Sequence, residues 1–437
     1  MIKKEKIELT MKQDIFVGID ISGRKHRARF IDKMGREKAA PISFSNDVEG
    51  LKKMENHLKG IRGIGHNVMF GVEPSGDYWK PIAYYLKKEG YPVVLVNPYH
   101  LRSTKETIDN SQEKDDNKDS YLIADLIKQG KYFFPIMPEG IYGELRELSN
   151  IWEKTSKELA IKKCYLANFL AKYFPEYREN FTDVLGKTSF YILKHFPLPE
   201  DITKIGKKRF SRLIKRVSRG RIGQYKIEMI YEKAEKSIGI KEGSQVAKNF
   251  LKGILADIER LKERKEEIKK VMEYFLGQTG YKENLLSIPG VGIVTASIFL
   301  GQIGDVSNYR RSREIEKLAG LNLVENSSGG RKGDRKISKR GRNMLRYVGY
   351  LVATVGISKN PEIKSLYWYK VMECKKEKMK VLTSIAAKML RIMFIVCKKK
   401  VYYDAEEIRK YFNNRGKIGG VRSGSLHQAP YSGDTGN

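Results

Sequence analysis

Four acidic residues stand at positions whose spacing supports phosphoryl chemistry. Asp20 closes the short apolar run IFVGIDIS (15–22), and Glu73 closes a second, VMFGVE (68–73). Asp116 and Asp119 lie three residues apart at the start of a helical pattern, so they share one helix face. Carboxylates brought together from separate elements can hold two divalent cations about 3.5–4 Å apart, stabilising the attacking and leaving oxygens of an in-line displacement. Such a set calls for Mg2+ or Mn2+. Zinc is disfavoured, because Cys164, Cys374 and Cys397 form no CxxC pair and the six histidines are scattered. The plainer reading of Asp116 and Asp119 is a pair of acids favoured by the helix dipole, with Asp115 crowding the same turn.

A second candidate is a serine doublet. Ser327 and Ser328 precede Gly329 and Gly330, and from Arg331 to Arg346 there are eight Lys/Arg and one acid, Asp334. A serine flanked by glycine can approach a phosphodiester closely. Nearby cations, with Arg331, Lys332, Arg335, Lys336, Lys339 and Arg340 as the candidates, can stabilise charge on phosphorus or grip the backbone. A serine hydroxyl needs a base or metal to become nucleophilic. No histidine lies nearby, so the alternative is a flexible loop that only holds phosphates. Upstream, SIPGVGIVTASIFLGQIGD (287–305) reads as a helix–hairpin–helix turn. There Gly290 and Gly292 expose backbone N–H groups suited to a phosphate, or form an ordinary tight turn packed through small residues.

These residues need elements to position them. The first part of the chain alternates strand-like and helix-like runs: a hairpin over 15–32, a helix over 47–60, a strand at 68–73, a helix over 77–89, a strand at 91–97, and a helix from about Asp116 to Gln129. This predicts an α/β layer with mixed pairing. A GID strand also opens sugar-kinase and actin-like ATPases, but the later Gly-rich phosphate loops they need have no counterpart here. The middle is helical and basic. Leu251, Ile254, Ile258, Leu261, Ile268, Met272 and Phe275 recur at heptad spacing, broken by Lys265. That pattern predicts a coiled coil with a second copy of the chain, the alternative being an intrachain hairpin with Leu145, Leu148, Trp152 and Leu159. Lys204 to Lys226 holds ten Lys/Arg and no acid, with Arg209, Arg212 and Arg216 on one helix face as phosphate contacts. The third block is again helical, and the Gly/Ser-rich end reads as disordered. The resulting boundaries are 12–135, 140–280, 283–400 and a tail at 405–437.

Composition narrows the class. Of 437 residues, 84 are Lys or Arg and 52 Asp or Glu, a formal net charge of +32 on a chain that is 41% hydrophobic. A folded chain this basic implies a polyanionic partner. No apolar run is long enough to span a membrane, and the start lacks a signal-peptide core, so a soluble cytoplasmic, nucleoid-associated protein is expected.

Five segments in order, VGIDIS, GVEPSGDYW, KDDNKDSYLIADL, IPGVGIVTASIFLGQIGD and SSGGRKGDRKISKRGRNMLR, resemble the insertion-sequence 110 family of transposases, over about residues 14–400. The resemblance implies an RNase H-like, RuvC-type N-terminal domain whose Asp20, Glu73, Asp116 and Asp119 bind Mg2+ (or Mn2+). It implies a helical coiled-coil middle and a helical C-terminal transposase domain with a nucleophilic serine, at Ser328 or, counting back from ISKRG, at Ser327. It also implies a homodimer or higher homo-oligomer that acts on element-end and target DNA, guided by a structured bridge RNA. Two rivals predict different chemistry. A Holliday-junction-type nuclease would use the acids alone, and a non-catalytic scaffold would need neither acids nor serine.

Overall fold

The structure is a computed structural model describing residues 3–61, 67–74, 76–109, 116–135, 137–325 and 335–406. The chain forms two compact units, Met1–Met137 and Pro138–Asn437.

In the first unit a helix α1 (Lys3–Lys12) precedes β1 (Ile15–Asp20), β2 (Lys25–Asp32), β3 (Ile42–Ser45), α2 (Val48–Lys59), β4 (Val68–Val72), α3 (Trp79–Lys88), β5 (Val93–Leu95), α4 (Pro98–Asp109) and α5 (Asp116–Lys128). The five strands make one sheet in the order β3-β2-β1-β4-β5. β1 pairs antiparallel with β2 and parallel with β4, so the sheet is mixed, as the α/β reading expected. Alternation along β1 sorts its side chains to two layers. Ile15, Val17 and Ile19 join Leu51, Met54, Ile82 and Leu86 from α2 and α3, whereas Phe16 joins Leu122, Ile123, Leu126 and Ile127 from α5. Asp47 caps α2 by accepting from the Gly50 N–H at 2.7 Å. β3 and α4 were not read in the sequence: ISFS is too short for a periodic signal, and α4 passed for a polar stretch.

α5 lies hard against the sheet. A Cβ on Gly18 would stand 2.0 Å from the Ser120 carbonyl oxygen and 2.4 Å from the Ala124 nitrogen. One on Gly71 of the neighbouring strand would stand 2.6 Å from the Ile127 side chain. Only glycine allows this approach.

The second unit is helical apart from one ribbon. Two long helices, α6 (Gly140–Tyr173) and α11 (Ser244–Gln278), flank α7 (Lys187–His195), α8 (Pro199–Ile205), α9 (Lys207–Ser218) and α10 (Gln224–Glu235). Then follow α12 (Lys282–Leu286), α13 (Ile293–Ile303), α14 (Ser312–Leu318), β6 (Leu323–Glu325), β7 (Arg335–Ile337), α15 (Asn343–Lys359), α16 (Pro361–Trp368) and α17 (Lys378–Lys399). Leu145 shares a core with Ile268, Met272 and Leu276, while Leu166 shares another with Leu251, Ile254 and Ile258. α6 and α11 therefore run antiparallel, stitched midway by Lys162 to Asp257 at 2.6 Å.

This corrects the expectation that the heptad stripe seeks a second copy of the chain. Leu251, Ile254, Ile258, Leu261, Ile268 and Met272 are all buried within the chain, as the intrachain alternative required. A tethered helix with the matching stripe closes at a lower entropic cost than a separate chain. Lys265, the break in the stripe, lays its Nζ 4.1 Å from the centre of the Trp152 ring, and burial lowers its pKa. The ribbon β6–β7 departs from the all-helical expectation for the third block, since three-residue strands carry no alternation to read. The tail expected to be disordered lies outside the described residues from 407 onward. No helix among the described residues is long and apolar enough to cross a membrane.

Gly18→Ala should lower the urea midpoint of the first unit, since the clash is with helix backbone that must shift as a body. Overpacking of this kind costs about 1–3 kcal/mol. An unchanged midpoint would mean that α5 does not sit on β1 at this distance.

Candidate functional site

The sequence places three of the four acids at one end of the sheet. Ile19 pairs with Val72, so Asp20 and Glu73 follow at the same level on adjacent parallel strands. By alternation both belong to the face that carries α5. The first turn of α5 brings Asp119 beside them, because Ser120 is the residue pressed against Gly18. Asp116 opens α5, and its side chain lies outside the described residues.

The electrostatics follow from this crowding. Glu73 is half-buried, and its pKa is raised above the ordinary glutamate range, first by burial and then by the negative charge of Asp119. Two cations on α4 oppose that shift: Lys105 and Arg102 both lower it. Lys105 makes an ion pair with Asp119. On the other side of β1, Arg27 stands directly across the antiparallel pair from Asp20. Sequence reasoning missed all three basic residues. Arg102 and Lys105 share a face of α4 three residues apart, a signal that would have been visible had α4 been read as a helix. Among the described residues no group of three carboxylate, histidine or cysteine side chains is placed to hold a metal ion.

The serine doublet, with Arg331 and Lys332, lies outside the described residues. What brackets it is described. β6 and β7 pair antiparallel, Leu323 with Ile337 and Glu325 with Arg335, and so bring together the two ends of residues 326–334. The base of the ribbon is held by backbone packing. A Cβ on Gly320 would meet the Lys339 and Arg340 backbone at 3.0 Å, and one on Gly341 the Leu318 carbonyl oxygen at 2.4 Å. The Lys339 and Arg342 N–H groups donate to the Gly320 and Leu318 carbonyls at 2.9 and 2.8 Å.

The basic residues after the doublet divide into two sets. Arg335, Lys336, Lys339 and Arg340 are exposed. Arg342 and Arg346 are instead built into the fold. Arg342 donates to the Gln302 carbonyl, and Arg346 to those of Ala319 and Gly341 at 2.9 and 3.2 Å. Burial, and then the neighbouring Arg146, lower the Arg342 pKa to about 10.

At the hairpin turn, Gly290 has a φ of +101° and packs against Gly356 of α15, where a Cβ would meet backbone at 3.0 Å. The exposed Gly292 begins α13, but its N–H already donates to Thr295 Oγ1 at 2.9 Å. In the middle, α9 buries Phe210 and Ile214 and exposes Arg209, Arg212 and Arg216, matching the expected division of its faces.

Comparison with known proteins now fits this arrangement. Residues 17–175 match the IS110 DEDD family model, described as a transposase. Residues 282–368 match the model described as the transposase IS116/IS110/IS902 family. Both matches define a transposase, a class that cuts and rejoins DNA. The chain belongs to the IS110 family of insertion-element transposases. The 44.8 kDa protein of insertion element IS116 from Streptomyces clavuligerus is 23% identical to it over 370 residues, covering 82% of this chain and 88% of that one. The 43.6 kDa protein of insertion element IS110 from Streptomyces coelicolor is 20% identical over 301 residues, 67% of this chain and 73% of that one. The transposase for insertion sequence element IS1328 from Yersinia enterocolitica is 38% identical over 84 residues, 19% of this chain and 25% of that one.

A raised carboxyl pKa has a definite sign. Charged Glu73 costs stability above its folded-state pKa, and the cost vanishes once pH falls below its unfolded value. Without divalent cations, Glu73→Gln should therefore melt higher than wild type at pH 7–8, with the gain shrinking as pH drops through the carboxylate range. A lower melting temperature at pH 7 would show that Lys105 and Arg102 more than offset the burial.

Proposed function

We propose that this transposase cuts and rejoins DNA through a transient phosphoserine link, formed by Ser328 or Ser327, with divalent cations held by Asp20, Glu73, Asp116 and Asp119. The observation that carries the reading is the meeting of Asp20, Glu73 and the Asp119 turn at the C-terminal ends of two adjacent central strands, with like charges drawn together. A half-buried Glu73, its proton affinity raised by burial and then by the charge of Asp119, supports a site for a cation. The strand order, antiparallel on one side of β1 and parallel on the other, supports an RNase H-like, RuvC-type description of the first unit.

The residues divide the work as follows. The four acids would hold Mg2+ or Mn2+, which when bound offsets the charge that builds on a reacting phosphate. Lys105, paired with Asp119, balances part of the acids' charge, a role that a bound cation would take over. The serine oxygen bonds to phosphorus as one bridging P–O bond breaks, and the departing strand leaves with a free hydroxyl once protonated. The serine proton passes to a base. In the reverse step a hydroxyl of the exchanged strand attacks the phosphoserine, the P–Oγ bond breaks, and the serine is regenerated with its proton. Lys336, Lys339 and Arg340, exposed beside the ribbon, are suited to the flanking phosphates, together with Arg331, Lys332 and Arg335.

A net charge of +32, with no single base-reading helix apparent, supports a protein that grips backbone while a structured guide RNA supplies sequence. A homodimer is proposed on family resemblance alone, because the heptad stripe is already used within the chain.

Covalent trapping tests the mechanism. Protein with its co-purified RNA, Mg2+ and element-end DNA is denatured and mapped by peptide mass. An adduct is expected on Ser328 or Ser327, absent from the alanine variant of that serine and from Asp20→Asn. Specific nicking with no adduct would replace this reading with the acid-only nuclease.

The cation has its own readout. A ligand at about 100 times its dissociation constant stabilises a protein by about 2.7 kcal/mol. Mg2+ or Mn2+ should raise the melting temperature of the wild type and have little effect on Asp20→Asn. Equal shifts in both would remove Asp20 from the binding set.

A further inference from the structure

Residues 176–281 fall outside both family matches, yet they carry an open groove lined by rings and charged side chains. Here α7 to α10 pack with the facing parts of α6 and α11 into a separate hydrophobic core. Between α7 and α11 lies an open groove of about 510 Å³ that faces solvent.

Its lining combines flat rings with ammonium groups. Tyr191 and His195, one turn apart on α7, stack with ring centres 4.0 Å apart and planes at 22°. His195 Nδ1–H donates to the Tyr191 carbonyl at 2.9 Å, which fixes the imidazole against the phenol. Lys262 of α11 stands 5.6 Å from the centre of the Phe190 ring. Lys194 contacts both oxygens of Glu259, at 2.9 and 3.2 Å. Aromatic platforms beside lysines are the chemistry that holds an unstacked nucleobase and its phosphates.

α9, packed on the same core, carries a basic face of its own. Phe196, just past α7, meets Phe210 of α9 edge-on at 6.0 Å, so both helices belong to one body. α9 exposes Lys208, Arg209, Arg212, Lys215 and Arg216, a strip suited to a run of phosphates. Glu259 adds an acceptor inside the cleft, which disfavours an acidic peptide as the occupant. It suits a base with N–H donors on its pairing edge, of which guanine offers two side by side.

We propose that this cleft takes an unstacked nucleobase, guanine by preference, extruded from a folded nucleic acid whose backbone runs along α9. The proposal rests on the reading of this chain as a nucleic-acid-binding protein and adds a base-capturing site remote from the acids and the serine doublet in sequence. Lys194 exchanges Glu259 for a phosphate as the base enters, freeing the carboxylate to accept from the pairing edge.

The test is an anisotropy titration of the full chain against two hairpins, one fully paired and one carrying a single bulged guanine, each made as RNA and as DNA. The bulged form should bind about tenfold more tightly in the strand type the site recognises, the scale of one base–aromatic stack. Tyr191→Ala and His195→Ala should bring that ratio to near one while leaving paired-hairpin affinity unchanged. Tyr191→Phe, which keeps the ring, should retain the preference. Arg212→Gln with Arg216→Gln should weaken both hairpins alike and reduce the salt slope by about two. Paired and bulged hairpins bound equally by wild type, or a preference that survives both alanine variants, overturns the cleft while leaving nucleic-acid binding intact. Failure to bind any hairpin overturns the nucleic-acid reading along with it.

Discussion

Helix α5 reaches the sheet only because β1 and β4 carry glycine where they face it. Gly18 lets the helix backbone at Ser120 and Ala124 settle directly onto β1, and Gly71 makes room for the Ile127 side chain on β4. Much of the first unit follows from that approach. Leu122, Ile123, Leu126 and Ile127 bury one face of the sheet. The helix start is then forced to the strand ends, where Asp20 and Glu73 stand. Burial there, and then the nearby charge of Asp119, raise the proton affinity of Glu73. Apolar packing holds the acids together against their own charge, with Arg102 and Lys105 of α4 supplying part of the balance. The packing of α5, not attraction between the side chains, therefore sets where Asp119 stands beside Glu73.

The second unit solves a different problem, that of anchoring long helices in a chain with a large positive charge. α6 and α11 pair antiparallel, and their apolar stripes are consumed in two successive cores. The single cation in the stripe, Lys265, is accommodated by the face of Trp152 rather than by an acid. Since the stripe is satisfied within the chain, any association of two copies must use other surface. Between the two long helices, α9 turns Phe210 and Ile214 inward and leaves its basic residues outward, so the charge costs the core nothing.

Legibility from sequence tracked element length and solvent contrast. The acid-bearing strand ends and α5 were readable because each apolar run was bounded by a polar residue, and the paired acids marked a helix start. The basic partners of the acids were not. Arg27 gains its meaning only from cross-strand register, and Arg102 and Lys105 sit on a helix with no strong apolar period. The ribbon β6–β7 escaped for a similar reason, three residues being too few to show alternation. The heptad stripe was read correctly as a seam but assigned the wrong partner, because spacing alone does not distinguish a second chain from a second helix of the same chain.

The basic run after the serine doublet shows why a count of charges is a poor guide to a phosphate site. Arg342 and Arg346 spend their guanidinium groups on the carbonyls of Gln302, Ala319 and Gly341, where they tie α13 and α14 to the start of α15. Removing Arg346 would take a side-chain donor from the Ala319 carbonyl, and removing Arg342 would leave Gln302 with Arg146 alone at 3.4 Å, so either loss would be felt first as lost stability. Lys336, Lys339 and Arg340 instead remain on the surface beside a ribbon whose base is fixed by Gly320 and Gly341. The division between the two sets is drawn by backbone carbonyls, which no pattern of charged residues in the sequence reveals.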